Sequence, residues 1–229
     1  MTAQAFRRDA LLFEIDGAVR LDRAALSILP DLDVLAARYP ADRAGMRLHG
    51  NPALTALVQP GSILQRLVAP RLGDAARAVR AILFDKSSAT NWALGWHQDR
   101  TIAVRARHDV AGFGSWTIKA GIPHVAPPFA LLERILTMRV HLDDVPEDNA
   151  PLIVSPGSHR LGLIAEDAIG DSVVRCGTAL CLAERGDVWL YSTPILHTSD
   201  RAVGNARRRV LQLDFSADDL PAPLEWFGA

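Results

Sequence analysis

Apolar and polar positions keep two different rhythms along this chain. Up to about residue 75 the spacing is largely helical. Asp22 is placed to cap a helix running to about Ala37 with Pro40 as its stop, and helical patterning returns at Pro52–Val58 and Ser62–Val68. Pro60, Pro70 and Gly73 punctuate that stretch. Ahead of it, Leu11–Leu21 reads as an extended segment broken by the hairpin-type turn signal Asp16-Gly17. After about Ala76 short strand-like runs take over: Val79–Phe84, Leu94–Asp99, Thr101–Arg107, Arg134–Asp143, Leu152–Ser155, Asp187–Tyr191 and Arg208–Phe215. Gly112, Gly114, Gly121-Ile122-Pro123, Pro156-Gly157, Gly186 and Gly204 mark turns between many of them.

Several short strands behind a helical front predict a mainly β fold, a sandwich or barrel with N-terminal helices packed on one sheet. The strands do not alternate with long helices, which argues against a doubly wound parallel sheet. The expected organisation is one domain over residues 1–229: a mostly helical front at 1–75, a β core at 76–217 and a C-terminal tail at 218–229. No internal repeat is visible.

Two of these strands alternate cleanly. Leu136, Met138, Val140 and Leu142 share one face, and Thr137, Arg139, His141 and Asp143 share the other. In the last strand Leu211, Leu213 and Phe215 share parity with Arg209, whereas Arg208 shares parity with Val210, Gln212 and Asp214. The apolar parities are expected under the helices. The polar ones then line a cavity.

Composition adds exclusions. Hydrophobic residues make up 49% of 229 residues and charged residues 22%, enough for a sizeable core and too apolar for dominant disorder. The net charge of −1 gives no broad basic surface for phosphates, so no nucleic-acid partner is expected. No run of 18 apolar residues occurs and the N-terminal apolar run Ala10–Phe13 is short, so neither a membrane span nor a signal peptide is expected. Cys176 and Cys181 cannot build a disulfide framework and read as free thiols of a cytoplasmic protein. The sequence is silent on oligomeric state.

The candidate chemistry lies in the histidines. In a strand, residues i and i+2 face the same way, so a His-x-Asp pair offers two ligands to one metal. With a third ligand from a distant strand, this is the facial triad of non-heme iron(II) oxygenases. Seven histidines and 20 aspartates in 229 residues make chance expect roughly 0.6 such pairs, and two occur, so spacing alone does not choose between them. His97-Gln98-Asp99 ends a mixed strand among polar residues, where barrel-mouth ligands sit. His141-Leu142-Asp143 lies within the alternating strand, and His141 reads better as a cavity-wall residue. His197 supplies a remote histidine, with Arg208 expected one strand away, its guanidinium free to hold a carboxylate in two-pronged fashion.

The ordered set Trp-His-Gln-Asp (96–99), Leu-Asp-Asp-Val (142–145), Asn-Ala-Pro-Leu-Ile-Val-Ser-Pro-Gly-Ser-His (149–159), Gly-Asp-Val-Trp-Leu (186–190), His-Thr-Ser (197–199) and Arg-Val-Leu (209–211) resembles the phytanoyl-CoA dioxygenase family. These are iron(II)- and 2-oxoglutarate-dependent oxygenases, and ectoine hydroxylases belong to the same group. The match covers roughly residues 80–216. It implies a double-stranded β-helix (jelly-roll) core, with His97, Asp99 and His197 as iron ligands. It places the co-substrate arginine at Arg208, with Arg209 as fallback, and a second hand on the distal carboxylate at Ser199. Asn91 and Lys86 fall where such enzymes place further co-substrate contacts, and Thr137 lies on the inward parity beside them. His159 is a turn residue in this pattern. The family's usual Asn-Gly is Asn149-Ala150 here, which suggests less demand for positive φ at residue 150.

The implied reaction is hydroxylation of an unactivated C–H bond of a small molecule by iron(II), 2-oxoglutarate and O2, with release of succinate and CO2. A carboxylate at Asp99 argues against halogenation, where that position must be vacant for halide. Trp96, Arg139 and Arg100 are candidate substrate contacts, with Trp116, Arg105 and Lys119 behind them. Two rivals share the barrel. A metal-dependent cupin-type enzyme would not need Arg208, and a non-catalytic binding module would show no turnover.

Overall fold

The two parities of the late strands become the two faces of one sheet. The computed structural model describes residues 10–41, 43–87, 90–204 and 206–229. In chain order its elements are α1 (Phe13–Asp16), β1 (Ala18–Leu21), α2 (Leu29–Ala36), β2 (Gly45–Arg47), α3 (Pro52–Val58), α4 (Ile63–Leu72), β3 (Arg77–Lys86), β4 (Leu94–His97), β5 (Ile102–Ala103), β6 (Gly114–Lys119), β7 (Ile122–Ala126), α5 (Phe129–Leu132), β8 (Leu136–His141), β9 (Leu152–Val154), α6 (Ile169–Cys176), β10 (Ala179–Cys181), β11 (Val188–Ser192), β12 (His197–Ser199) and β13 (Arg208–Ser216). A six-stranded sheet runs β1-β11-β8-β13-β3-β2, a four-stranded sheet β10-β9-β12-β4, and a three-stranded sheet β5-β7-β6. All their pairings are antiparallel.

Leu136, Met138, Val140, Leu211, Leu213 and Phe215 turn outward from the six-stranded sheet and meet Leu32, Leu35, Leu54, Leu57, Leu64 and Val68 of α2, α3 and α4. Leu213 is fully buried there, so Leu213→Ala would cost about 2–5 kcal/mol in lost contacts and cavity. The opposite face looks toward the four-stranded sheet. Trp189 and Tyr191 pack there against Leu152 and Val154, closing the far side of the space between the sheets.

The helices begin where their chemistry allows. Asn51 accepts from Ala53 N at 2.9 Å with Pro52 in the first turn of α3, and Ser62 accepts from Gln65 N at 3.2 Å to start α4. Expectation and structure part near the N-terminus. Leu12–Asp16 is a helical turn closed by Gly17 at φ 76°, not the first arm of a hairpin, because Asp16 accepts from its own turn at Leu12 N, 2.8 Å. Asp22 caps nothing. Arg23 N donates to Asp187 Oδ1 at 2.7 Å and Ala25 N to Gly186 O at 2.9 Å, so this backbone is tied to a distant turn and α2 starts only at Leu29.

The expected strand 101–107 shrinks to Ile102–Ala103, because Val104 bridges Trp226 and Arg105 N donates to Glu225 O at 3.0 Å. Residues 114–126, read as punctuation, are a hairpin. Its turn puts Ala120 and Gly121 at φ 52° and 79°, the geometry that matches strand twist. The front contributes β1 and β2 to the edges of the large sheet as well as helices.

Candidate active site

Antiparallel register orders the inward side chains of β3, β13 and β8 into rows. Lys86 lies opposite Arg208. Two residues along each strand, Phe84 lies opposite Val210, which pairs with His141. Next come Ile82, Gln212 and Arg139, with Arg47 of β2 beside Ile82. Last come Arg80, Asp214 and Thr137. The wall therefore has one cationic end at Lys86 and Arg208 and another polar end at Arg80.

His97, Asp99 and His197 face the Arg80 end. His97 and His197 are directly paired across β4 and β12, and their ring centroids are 4.2 Å apart. Asp99 lies just past the end of β4, and one ligand atom from each of the three residues lies within 4.8 Å of the others. The ring Nδ1 of His97 faces Gly95 O at 2.7 Å and that of His197 faces Ile195 O at 3.0 Å. A carbonyl only accepts, so each Nδ1 carries a proton and Nε2 is the ring atom left for a metal. Burial holds the His197 pKa down at about 4, favouring the neutral form a metal needs.

Arg80 donates from Nη2 to Asp99 Oδ2 at 2.9 Å and contacts Asp214 Oδ2 through Nε at 2.5 Å. Asp214 also accepts from Thr137 Oγ1 at 3.2 Å, and Thr137 meets Thr193 Oγ1 at 2.9 Å. Burial by itself would raise the Asp99 pKa, but the charge and hydrogen bond of Arg80, together with the neighbouring His197 and His97, outweigh it and hold the carboxylate ionised. Arg80 thus occupies one oxygen of Asp99 and leaves the other for a metal.

At the other end Arg208 is 2% exposed and donates to Ala150 O, while its Nε has no acceptor among the described residues. Burial, then Arg139, draws its pKa down to about 9. Lys86 Nζ donates to Trp92 O at 2.7 Å, Asp200 O at 2.9 Å and Ser199 Oγ at 3.3 Å. Burial, then Arg208 and Arg139, draws the Lys86 pKa to about 7. Buried cations without a carboxylate are costly unless an anion joins them. Arg208, Lys86, Ser199 and the His–Asp–His group line one cavity of about 210 Å³.

Not every expected residue lies there. Arg209 points outward to Asp143 and Asp33, so Arg208 is the arginine facing the cavity, and it faces His197 from the opposing sheet rather than from a neighbouring strand. Asn91 is occupied by Ala202, donating to its O at 2.8 Å and accepting from its N at 2.9 Å. Thr137 sits behind Arg80. Arg139 lines the cavity, stacked 5.3 Å from the Phe84 ring centroid, but Trp96 packs against Ile164 and Leu196 and Arg100 donates to Ile164 O. His141 is buried beside Arg139 and Arg208, which with desolvation hold it neutral, and it lies outside the His–Asp–His group. His159 is in a helical turn, its ring filling the space a Cβ on Gly17 would occupy.

Ala150 reverses its expectation: it adopts φ 50° despite not being glycine, and its carbonyl accepts from Arg208 and Ser199. Arg80 and Arg47 escaped notice in the sequence, whereas Gln212 lies on the cavity face as its parity with Arg208 predicts. For Arg80 the signal was present, a lone charge inside the apolar run Ala78–Phe84.

A family model described as phytanoyl-CoA dioxygenase (PhyH) matches residues 32–210. A search of curated proteins finds no match. Among solved structures, EctD from S. alaskensis in its apoform is 18% identical with a TM-score of 0.62, covering 99% of this chain and 84% of that one. The non-heme alpha ketoglutarate dependent epimerase SnoN from nogalamycin biosynthesis is 14% identical at TM-score 0.61, covering 92% and 87%. HygX from Streptomyces hygroscopicus, with nickel and 2-oxoglutarate bound, is 15% identical at TM-score 0.59, covering 93% and 87%. At these identities the likeness is one of fold, the jelly-roll core with its helical cover.

Proposed function

The chain belongs to the phytanoyl-CoA dioxygenase family, and from that premise we propose that it is an iron(II)- and 2-oxoglutarate-dependent dioxygenase that hydroxylates an unactivated C–H bond of a small molecule. One observation carries this: a His–Asp–His group and a buried arginine with no carboxylate partner among the described residues share a single cavity. The donor set fits the metal, since two imidazoles and one carboxylate on one side leave the other coordination positions free. The far end fits a dicarboxylate, since Arg208 has an unused buried Nε beside Lys86 and Ser199.

His97 and His197 would hold iron through Nε2, and Asp99 through the oxygen that Arg80 does not occupy. When bound, iron(II) with 2-oxoglutarate and O2 supplies oxidative decarboxylation to succinate and CO2 and the oxidising power for the C–H bond. Arg80 fixes the Asp99 carboxylate and keeps it unprotonated. Gly95 O and Ile195 O fix the two imidazole planes. Arg208 and Lys86 grip the distal carboxylate of the co-substrate, with Ser199 alongside, and so orient its other end toward the metal. Phe84, Leu94 and Leu152 line the space between and limit water.

Anaerobic thermal melting with manganese(II), with and without 2-oxoglutarate, tests this on wild type and Arg208→Met. The metal is expected to raise the wild-type Tm, and 2-oxoglutarate to raise it further only where Arg208 is present. Stabilisation by metal alone would turn the assignment toward a cupin-type enzyme. His97→Ala and Asp99→Ala are expected to melt cooperatively and ignore the metal.

A further inference from the structure

At the β2 edge of the large sheet and at the end of β6, the cavity wall carries two cations that are not among the proposed metal or co-substrate contacts. Arg47 comes from the edge strand β2 and Lys119 from the end of β6, in a different sheet, and both line the cavity with Asp99 and Arg80. Arg47 is half-buried, makes no side-chain hydrogen bond or ion pair with any described residue, and has an Nε shielded from solvent. Lys119 is exposed and, among the described residues, donates one hydrogen bond, to Thr101 Oγ1 at 3.1 Å. Arg80, the third cation there, is already held by Asp99 and Asp214. Among the described residues that line the cavity, Asp99 is the sole carboxylate, against Arg47, Arg80, Lys86, Lys119, Arg139 and Arg208.

A metal dication and a 2-oxoglutarate dianion cancel one another, so loading the site leaves this excess in place. Burial and then the nearby Arg80 disfavour the charged form of Arg47, and Asp99, already ion-paired with Arg80, offsets this only in part. A surface that keeps unpaired cations around a cavity favours an anionic visitor. The cavity, about 210 Å³, is smaller than typical ligand pockets, so with co-substrate in its inner part a substrate must sit toward the mouth.

Resting on the oxygenase reading above, we infer that the primary substrate is a small molecule bearing a carboxylate or phosphoryl group, which Arg47 and Lys119 grip so that its neighbouring C–H bonds face the metal. Both arms reach from outside the co-substrate end. This pair therefore sets substrate choice without setting 2-oxoglutarate affinity.

The test uses protein loaded anaerobically with manganese(II) and saturating 2-oxoglutarate, titrated with butanoate, butyl phosphate or 1-butanol at low salt, with Tm as the readout. At least one anion is expected to raise the Tm while the alcohol does not, and the larger shift names the head group. In Arg47→Met/Lys119→Met the apparent Kd for that anion is expected to rise about tenfold or more, with the shift due to 2-oxoglutarate intact. That intact shift also shows that the variant is folded. Arg47→Glu/Lys119→Glu is expected to respond to butylamine instead. An anion response that survives in the double Met variant, an equal response to 1-butanol, or no anion response in wild type overturns the inference. A wild type blind to 2-oxoglutarate overturns the oxygenase reading itself, a separate outcome.

Discussion

Arg80→Met should be the most damaging single change at the site among residues that are neither proposed metal ligands nor proposed co-substrate contacts. Arg80 is 8% exposed and Asp214 5%, and Arg80 also holds Asp99. Methionine keeps the packing of the arginine stem but leaves Asp214 buried without its cation. Breaking a buried pair from one side costs about 3–5 kcal/mol. In a chain of this size each kcal/mol moves Tm by roughly 2–4 °C, so the apo variant should melt about 6–20 °C lower at pH 7. The pH dependence has a definite sign. Burial raises the Asp214 pKa even beside Arg80, and loss of Arg80 raises it further above the unfolded value, so the folded variant holds the extra proton over a wider range and loses more stability as pH rises. The gap to wild type should therefore widen from pH 5 to pH 8. Manganese(II) beside Asp99 replaces part of the missing charge and should narrow it. Circular dichroism melts at both pH values, with and without metal, measure all three effects. A drop under about 2 °C with no pH trend would mean the pair is effectively solvated and would refute the argument.

Other outcomes follow from the same geometry. Lys86, with its pKa near 7, should lose its proton as pH rises from 6 to 9, so 2-oxoglutarate should bind more weakly across that range; Lys86→Met should bind weakly throughout, and an unchanged slope in the variant would rule Lys86 out. Ala150→Gly should stabilise by about 0.5–1 kcal/mol, because a left-handed alanine costs about 1–2 kcal/mol and glycine returns part of that as unfolded-chain entropy; a lower denaturation midpoint would contradict it. Cys181 is 1% exposed with its thiol pushed up to about 12, whereas Cys176 is partly exposed, so a thiol reagent should label Cys176 in native protein and Cys181 only on unfolding. Equal labelling rates would show that the sheet opens readily.

The local rules were legible where residue type and period decide structure alone. Alternation assigned the faces of β8 and β13, because a strand turns successive side chains to opposite sides whatever it packs against, and this separated Arg208 from Arg209. The caps at Asn51 and Ser62 started their helices as those residue types require. The ordered motif pointed to His97 and Asp99 where spacing left two pairs, and these are the ones that the fold brings together with His197.

What tertiary structure decided are the encounters between distant segments. The turn at 184–187 captured residues 23–25 and displaced a helix start that local propensity favoured. The C-terminal segment took the hydrogen bonds expected of the strand at 101–107. Ala150 entered the left-handed region although its residue type argues against it, with its carbonyl held by the side chains of Arg208 and Ser199. Arg80 meets Asp99 and Asp214, and Arg47 reaches the mouth, through pairing across 19 and more residues. No single-strand period encodes such register, which is set when the strands pair and bury their apolar faces together.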